Sequence, residues 1–179
     1  MPRLFIAIDL PEAHRAALAA LRDDALAARW TRPGQHHLTL RFVGEVPEAV
    51  ARRLEASLAA VQAPPVPMQI EGLGAFPSMR RPRVLFAGLP EAPRLAALRH
   101  QVEDAVLGIG LPPDPKPFRP HVTLARLKRC PPRLVRAFVR RHESLTLPPF
   151  EAKRIVLYES VLRAEGALHR MRAAYPLAG

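Results

Sequence analysis

The sequence predicts an α+β fold of two related lobes, with mainly antiparallel sheets, outer helices and a central cleft between the lobes. Adjacent strand patterns occur in pairs, which argues against the regular alternation of a doubly wound parallel sheet. Two segments, HLTLRFVGEVPEAVARRL and HVTLARLKRCPPRLVRAF, begin 84 residues apart, and each has the pattern of a strand, a Pro-containing loop and an amphipathic helix. We therefore expect residues 1–179 to form a single domain with two pseudo-symmetric halves.

Composition favours a globular protein with an anionic partner. Apolar residues make up 49% of the chain, and its net charge of +11 would suit nucleic acid, a nucleotide or a membrane surface. A genome rich in Arg, Ala and Pro codons would give the same charge, so composition leaves both explanations open. Cys130 is the only cysteine, and no segment reaches the ~20 apolar residues of a membrane span. We expect a monomeric, cytoplasmic protein without a membrane partner, in which Cys130 is incidental.

The first half of the chain predicts two strands and two helices. RLFIAIDL has the pattern of a buried strand, and Asp9 with Glu12 suggests a capping box for a helix from about Pro11 to Arg29. A strand from His37 to Val43 follows. The next helix has one apolar stripe, formed by Val50, Leu54, Leu58 and Val61.

The second half predicts five strands and two helices. MQIEGLGAF and RVLFAGL have strand patterns, and a helix is expected from about Ala92 to Ile109. The proline-rich segment GLPPDPKPFRP leads into the second strand of the HxTx type, and a short helix, PPRLVRAFVRRHE, comes next. Two closing strands, FEAKRIVLYES and GALHRMRAAYPL, are joined by a turn near Glu165. The short helix is expected to bury Leu134, Val135, Phe138 and Val139.

The HxTx tetrads place a histidine and a threonine on one side of each strand. Side chains alternate between the two faces of a strand, so His37 and Thr39 share a face, as do His121 and Thr123. The same alternation adds Arg41 to the face of His37 and places Leu38, Leu40 and Phe42 on the other. If the two halves pair, two imidazoles and two hydroxyls line one cleft.

This set of groups suits phosphoryl transfer by acid–base catalysis. One imidazole can act as an acid and the other as a base near neutral pH, while hydroxyls donate hydrogen bonds to phosphate oxygens. Zinc is a weaker alternative, because each tetrad supplies one ligand and no HxxxH, HExxH or cysteine cluster supports it. The sequence also lacks a GxSxG elbow and a P-loop. Five histidines are expected to be structural, exposed or merely adjacent: His14, His36, His100, His142 and His169.

HLTL and HVTL, at this separation, resemble the paired HxTx signatures of the 2H phosphoesterase superfamily. RLFIAIDLP, HLTLRFVGEV, FRPHVTLARLK and LYES are similar to its bacterial and archaeal branch, the RNA 2′,3′-cyclic phosphodiesterases, historically called 2′-5′ RNA ligases. The resemblance covers nearly the whole chain. It implies a two-lobed α+β fold and hydrolysis of RNA 2′,3′-cyclic phosphate ends to 2′-phosphomonoesters, without a metal or nucleotide cofactor, on substrates that include tRNA fragments.

The resemblance also implies roles for individual residues. His37 matches the proton donor to the leaving 3′ oxygen, and His121 matches the base that activates water. Thr39 and Thr123 match the phosphate-binding threonines, and Arg126 matches a basic phosphate-binding position after the second motif. Strict alternation places Arg126 on the face opposite His121, unless strand twist or a bulge turns it inward. The symmetric spacing of the motifs does not itself distinguish the acid from the base.

Some of the basic residues are expected to follow an RNA backbone. Three of them flank a loop, namely Arg80, Arg81 and Arg83, and four surround the second motif, namely Arg119, Arg126, Lys128 and Arg129. Any one of them taken alone is more simply explained as solvated surface. Two other enzymatic functions fit the same tetrads, namely reversible 2′-5′ ligation and hydrolysis of a small cyclic phosphodiester. A noncatalytic protein that binds RNA ends is a third alternative.

Overall fold

The computed structural model describes residues 1–178, which form four helices and ten strands. The helices are α1 (Glu12–Ala19), α2 (Glu48–Leu58), α3 (Pro93–Gly108) and α4 (Pro132–Arg141). The strands are β1 (Arg3–Asp9), β2 (Ala28–Trp30), β3 (His37–Glu45), β4 (Val66–Met68), β5 (Leu73–Phe76), β6 (Val84–Gly88), β7 (His121–Leu127), β8 (Phe150–Ala152), β9 (Arg154–Arg163) and β10 (Gly166–Pro176). The order matches the predicted one, with β2, β4 and β8 in addition.

Eight strands form one antiparallel sheet in the order β10-β9-β1-β3-β7-β6-β5, with β2 paired to β7. The remaining two strands, β4 and β8, form a separate antiparallel pair. The predicted α+β class with mainly antiparallel sheets is confirmed. None of the helices in the described chain is long and apolar enough to cross a membrane.

The two HxTx strands, β3 and β7, are neighbours at the centre of the sheet. They run antiparallel and pair at Leu38 and Val122, both of which are fully buried. After this contact the strands separate, and β2 takes the place of β3 beside the rest of β7. The sheet is therefore continuous, and its two halves meet where the motifs meet.

Both motif strands carry a β-bulge at the fourth residue of the tetrad. The register of β3 with β1 skips Leu40, and the register of β7 with β6 skips Leu124, which is the equivalent position 84 residues later. A bulge inserts one residue and reverses the alternation of the residues that follow it. Phe42 and Arg126 therefore face the same side as the histidines, whereas Arg41 faces the core.

Arg41 was expected beside the first histidine, and that prediction is wrong. It is only 5% exposed, and its Nε lies 2.8 Å from Oε2 of Glu103 on α3. Arg99 binds the same carboxylate at 2.7 Å and the carboxylate of Asp114 at 3.1 Å. These ion pairs tie the proline-rich approach to the second motif onto α3 and β3. Phe42, expected in the core, is 61% exposed.

The helix predicted from about Pro11 to Arg29 ends at Ala19. The Asp23 carboxylate accepts a hydrogen bond from the backbone N–H of Ala25 at 2.8 Å, which stabilises a turn that the helical pattern did not reveal. The chain then extends into β2. The capping box is also absent, because Pro11 occupies the N-cap position without a side-chain hydrogen bond.

Two smaller predictions about apolar stripes are wrong in part. Val61 lies beyond the end of α2, although it still packs against the core. On α4, Val135 and Phe138 are buried as expected and Val139 is half-buried, but Leu134 is 37% exposed. The short helix thus buries a narrower stripe than predicted.

The β9–β10 hairpin continues beyond the residues of β9 that pair with β1. Its register skips Arg172, whose guanidinium binds Glu48 and Glu55 of α2 at 2.6 and 2.9 Å. At the far end, Arg32 donates a hydrogen bond to the backbone carbonyl of Glu165 at 2.6 Å. The predicted turn near Glu165 therefore lies against the segment that follows β2.

Candidate active site

Each motif histidine is oriented by the backbone two residues before it. Nδ1–H of His37 donates to the carbonyl of Gln35 at 2.8 Å, and Nδ1–H of His121 donates to the carbonyl of Arg119 at 2.6 Å. A carbonyl oxygen can only accept, so Nδ1 carries a proton in both rings. The Nε2 atoms are thereby left for proton exchange.

Pairing of β3 with β7 brings the two motifs together on one face of the sheet, which we call the histidine face. Because Leu38 pairs with Val122 in an antiparallel register, each motif histidine is adjacent to the threonine of the other motif. The predicted meeting of two imidazoles and two hydroxyls thus follows from the register.

His37 lies in an aromatic environment. Its ring centroid is 4.9 Å from that of Phe5, 6.4 Å from that of Tyr158 and 5.1 Å from that of His169. Its Nε2 lies 3.1 Å from Oγ1 of Thr39, so the neutral ring accepts a hydrogen bond from the threonine hydroxyl. His37 is therefore enclosed on the side of β1, β9 and β10.

His121 is bounded by two phenylalanines of the β5–β6 hairpin. Its centroid is 4.8 Å from that of Phe76 and 5.6 Å from that of Phe86. The two phenylalanines stack on each other at 4.2 Å. Gly74 makes this possible, because a Cβ at that position would lie 2.6 Å from the Phe86 ring.

Burial sets the protonation of both motif histidines. Loss of hydration lowers the pKa of His37, although the Gln35 carbonyl and the Asp9 carboxylate oppose this. The pKa of His121 is also lowered by burial, against the effect of the Arg119 carbonyl. Both rings are therefore mainly neutral at pH 7 in the free protein.

Asp9, which was expected to cap α1, instead lies on the histidine face. It pairs with His37 across β1 and β3, and it accepts hydrogen bonds from the Tyr158 hydroxyl at 2.6 Å and from Arg154 at 2.9 Å. Burial and the bond to Asp9 raise the pKa of Tyr158, so its hydroxyl stays protonated. Tyr158 belongs to the LYES segment, but the sequence of that segment does not indicate a hydrogen bond to Asp9.

His169 is closer to the site than its isolated position in the sequence suggested. It contacts the rings of Phe5 and His37, and burial followed by the charge of His37 lowers its pKa to about 4. Side-chain alternation along β10 places His169 on the histidine face, but only the strand order β10-β9-β1-β3 brings it near His37. The sequence contains no signal for that strand order.

The other four histidines are not part of the site. His36 is 3% exposed on the core side, and burial lowers its pKa to about 4. His14 is buried and donates to the Pro148 carbonyl at 2.7 Å, while His142 packs against Phe138 and His100 is exposed.

Arg126 lies on the histidine face because of the bulge at Leu124, and it pairs across the sheet with Val84. All seven basic residues expected near RNA are exposed. In the described part of the chain, no group of three or more His, Cys, Asp or Glu side chains is arranged to hold a metal ion.

Comparisons with known proteins agree with this arrangement. The LigT-like phosphoesterase family matches residues 8–86 and 88–169, one segment for each half. The RNA 2′,3′-cyclic phosphodiesterase of Aeropyrum pernix is 35% identical over 86% of this chain and 90% of its own length. That of Archaeoglobus fulgidus is 31% identical over 94% and 96%.

Solved structures show the same fold. A protein of Thermus thermophilus superposes with a TM-score of 0.82 at 29% identity, covering 99% of this chain and 98% of the other. Escherichia coli LigT, solved with 3′-AMP, has a TM-score of 0.78 at 24% identity over 99% of both chains, which shows a shared fold. With both halves matched in sequence and nearly the whole chain matched in structure, this chain belongs to the LigT-like phosphoesterase family, the family of the RNA 2′,3′-cyclic phosphodiesterases.

Proposed function

We propose that this chain hydrolyses RNA 2′,3′-cyclic phosphate ends to 2′-phosphomonoesters by two-histidine acid–base catalysis that needs no metal. The observation that carries the proposal is the β3–β7 pairing, which places two imidazoles, each with Nδ1 committed to a backbone carbonyl, beside two threonines. The names of the curated relatives support the substrate class. The domain of residues 1–179 acts as one unit, with one motif from each half.

In this mechanism His121 is the base and His37 is the acid. Nε2 of neutral His121 takes a proton from water as the water oxygen attacks phosphorus. The bond between phosphorus and the 3′ oxygen breaks, and Nε2–H of protonated His37 delivers a proton to that oxygen. The products are a 2′-phosphate and a free 3′-hydroxyl, and the two histidines have exchanged protonation states.

Thr39, Thr123 and Arg126 hold the phosphate in this mechanism. The threonine hydroxyls donate to nonbridging oxygens, and the guanidinium offsets negative charge on the phosphate. In the free protein the Thr39 hydroxyl is engaged with Nε2 of neutral His37. Protonation of His37 releases that hydroxyl, so the ring and the hydroxyl can both donate to the substrate.

The substrate itself helps to charge the acid. Burial lowers the pKa of His37 in the free protein, and an anionic phosphate beside the ring raises it again. Protonated His37 is therefore favoured when substrate is bound. Arg119 and Lys128 are exposed near the second motif, and in this proposal such basic residues follow the RNA chain that leads to the cyclic end.

The direct test is incubation with a short RNA that ends in a 2′,3′-cyclic phosphate, in the presence of EDTA, with the product identified by ³¹P NMR. We expect a 2′-phosphate and undiminished turnover with the chelator. A 3′-phosphate would show that the 2′ oxygen leaves and would reverse the histidine roles. Inhibition by EDTA that zinc reverses would refute the metal-free mechanism.

Two further outcomes separate the alternatives. Activity on nucleoside cyclic phosphates but not on RNA would favour a small-nucleotide hydrolase. Saturable RNA-end binding without turnover would favour a noncatalytic binding protein. Reverse reaction is checked by supplying the products at high concentration and looking for a 2′-5′ linkage.

A further inference from the structure

Arg29 and Arg126 form a basic pair outside the two motifs. They are directly opposed in the β2–β7 ladder, so their side chains leave the sheet on the same side. Arg126 is on the histidine face because of the bulge, and Arg29 must therefore be on that face too. Trp30, the next residue of β2, points the other way and packs against Phe138 of α4 at 5.9 Å.

The two guanidinium groups lack acidic partners. Among residues 1–178, no carboxylate lies within 4.0 Å of either of them, although most neighbouring charged residues of β2 and its flanks are paired. Like charges placed directly opposite each other destabilise a sheet. An anion bound between the two arginines would remove this repulsion.

The pair lies at a suitable distance from the reacting groups. Thr123 pairs with Phe86 and Arg126 pairs with Val84, so the two rows are separated by two strand residues, or about 7 Å. That separation is comparable to one phosphate-to-phosphate step along an extended RNA strand. Arg29 lies beside Arg126 in the same row, on the neighbouring strand β2.

The β9–β10 turn limits the positions that the Arg29 side chain can take. A Cβ added at Gly166 would lie 3.0 Å from Nη2 of Arg29, so the bare glycine leaves room for the guanidinium at the turn. No hydrogen bond joins Arg29 to the turn among the described residues, and its N–H donors remain available. The turn therefore restricts the Arg29 guanidinium without using its hydrogen-bond donors.

We propose that Arg29 and Arg126 form a second phosphate subsite, which binds the phosphodiester one nucleotide before the reacting cyclic phosphate. The inference rests on the proposed function and extends it to a substrate class: chains of at least two nucleotides are preferred over mononucleotides. Arg126 is shared with the reacting phosphate in the proposed mechanism, whereas Arg29 serves only the second phosphate.

The test compares two dinucleotides that end in a 2′,3′-cyclic phosphate, one with a normal internal phosphodiester and one with a neutral methylphosphonate. Wild type should prefer the charged linkage in kcat/KM by about tenfold, the usual scale of one charge-assisted contact. R29A should lose most of this preference, and R29K should keep part of it. The slope of log KM against log salt should fall by about 0.7 in R29A for a longer RNA.

The matched control is R136A. Arg136 is an exposed arginine on α4, which packs against the side of β2 opposite to Arg29. R136A changes the net charge by the same amount as R29A, and it should leave the linkage preference and the salt slope as in wild type.

Three outcomes would overturn the subsite. Wild type could show no linkage preference, R29A could keep the full preference, or R29A could lower kcat/KM equally on both dinucleotides, as expected if Arg29 only supports the hairpin. If neither dinucleotide is hydrolysed, the proposed function fails, and calorimetric binding of the two dinucleotides to wild type and R29A then tests the subsite by itself.

Discussion

The two halves of the site share a backbone geometry. In each half Nδ1 of the histidine donates to the carbonyl two residues earlier, and a bulge follows at the fourth residue of the tetrad, Leu40 or Leu124. The repeated tetrad thus produces a repeated local structure, in which Nδ1 of each imidazole is held by the backbone, although only Nε2 of His37 also accepts a hydrogen bond from a threonine of its own motif among the described residues.

The surroundings of the two histidines differ. His37 is enclosed by rings from β1, β9 and β10, whereas His121 is bounded by the two phenylalanines of one hairpin. At the equivalent position after the bulge, the first half has the exposed ring of Phe42 and the second half has Arg126. Two motifs with similar backbone geometry are therefore combined with different surroundings for their histidines.

Replacement of either histidine should have the largest effect on activity. We expect H37A and H121A each to reduce kcat/KM on a cyclic phosphate by roughly 10²–10⁴-fold, because each removes one proton transfer. Thermal melting followed by circular dichroism should show that the fold persists.

A substrate with a good leaving group should distinguish H37A from H121A by their activities. With a nucleoside 2′-(4-nitrophenyl phosphate), the nitrophenolate leaves without a proton, so H37A should recover most of its activity and H121A should not. Recovery by H121A instead would exchange the acid and base roles. Near-normal turnover of the cyclic phosphate by either variant would remove that histidine from the mechanism.

Removal of a threonine hydroxyl should have the next largest effect. T39V and T123V keep the side-chain shape and each should lower kcat/KM by about 10²-fold, the scale of one lost oxyanion donor. T39V should be the less harmful of the two, because the Thr39 hydroxyl donates to Nε2 of neutral His37 at 3.1 Å, and its removal favours the protonated acid.

The exposed Thr146 provides the control for this pair, and T146V should behave as wild type in steady-state assays on the same cyclic phosphate. Equal losses in T39V and T123V would show that the contact between Thr39 and His37 has no role in turnover.

Phe42 is suited to stack on a base of the substrate. It is 61% exposed on the histidine face, and its ring lies 6.0 Å from that of Phe5. F42A should raise KM on a dinucleotide about tenfold with little change in kcat, since base stacking on an aromatic ring contributes roughly 1–3 kcal/mol. F42W should retain the wild-type KM.

L134A is the matched control for Phe42, because Leu134 is an exposed apolar residue on α4. It should leave KM unchanged. A loss of kcat rather than affinity in F42A would indicate that Phe42 orients the reacting groups.

The repeated elements were more predictable from the sequence than the contacts between distant ones. The motif strands follow from side-chain alternation, and the duplication suggested that the two tetrads could line one cleft, whereas their antiparallel pairing is known only from the structure. The bulges were foreseen only as a possibility at Arg126, because a bulge depends on the register with a neighbouring strand. Asp9 contacts Tyr158, which lies about 150 residues later in the chain, and His169 contacts His37, which lies about 130 residues earlier. Local sequence patterns do not encode contacts over such separations.

The pH dependence should show the smallest effect and should separate the two histidines without changing either. In the proposed mechanism His37 must be protonated to act as the acid, and burial lowers its pKa below 6.5 in the free protein. Its charged form is present below that lowered pKa and is lost as the pH rises through it. The alkaline limb of kcat/KM should therefore lie below pH 6.5.

Removal of an aromatic ring beside His37 should shift the alkaline limb of kcat/KM. H169A removes a ring 5.1 Å from His37 and admits water, so the pKa of His37 should rise toward its ordinary value. The alkaline limb then moves to higher pH by under about one unit. NMR titration of the His37 ring gives the pKa directly, and H100A, which alters an exposed histidine, should leave it unchanged. An unmoved or lowered pKa in H169A would show that the β9–β10 hairpin does not control the proton on His37, and the difference between the two halves would then have to arise from Phe5 and Tyr158.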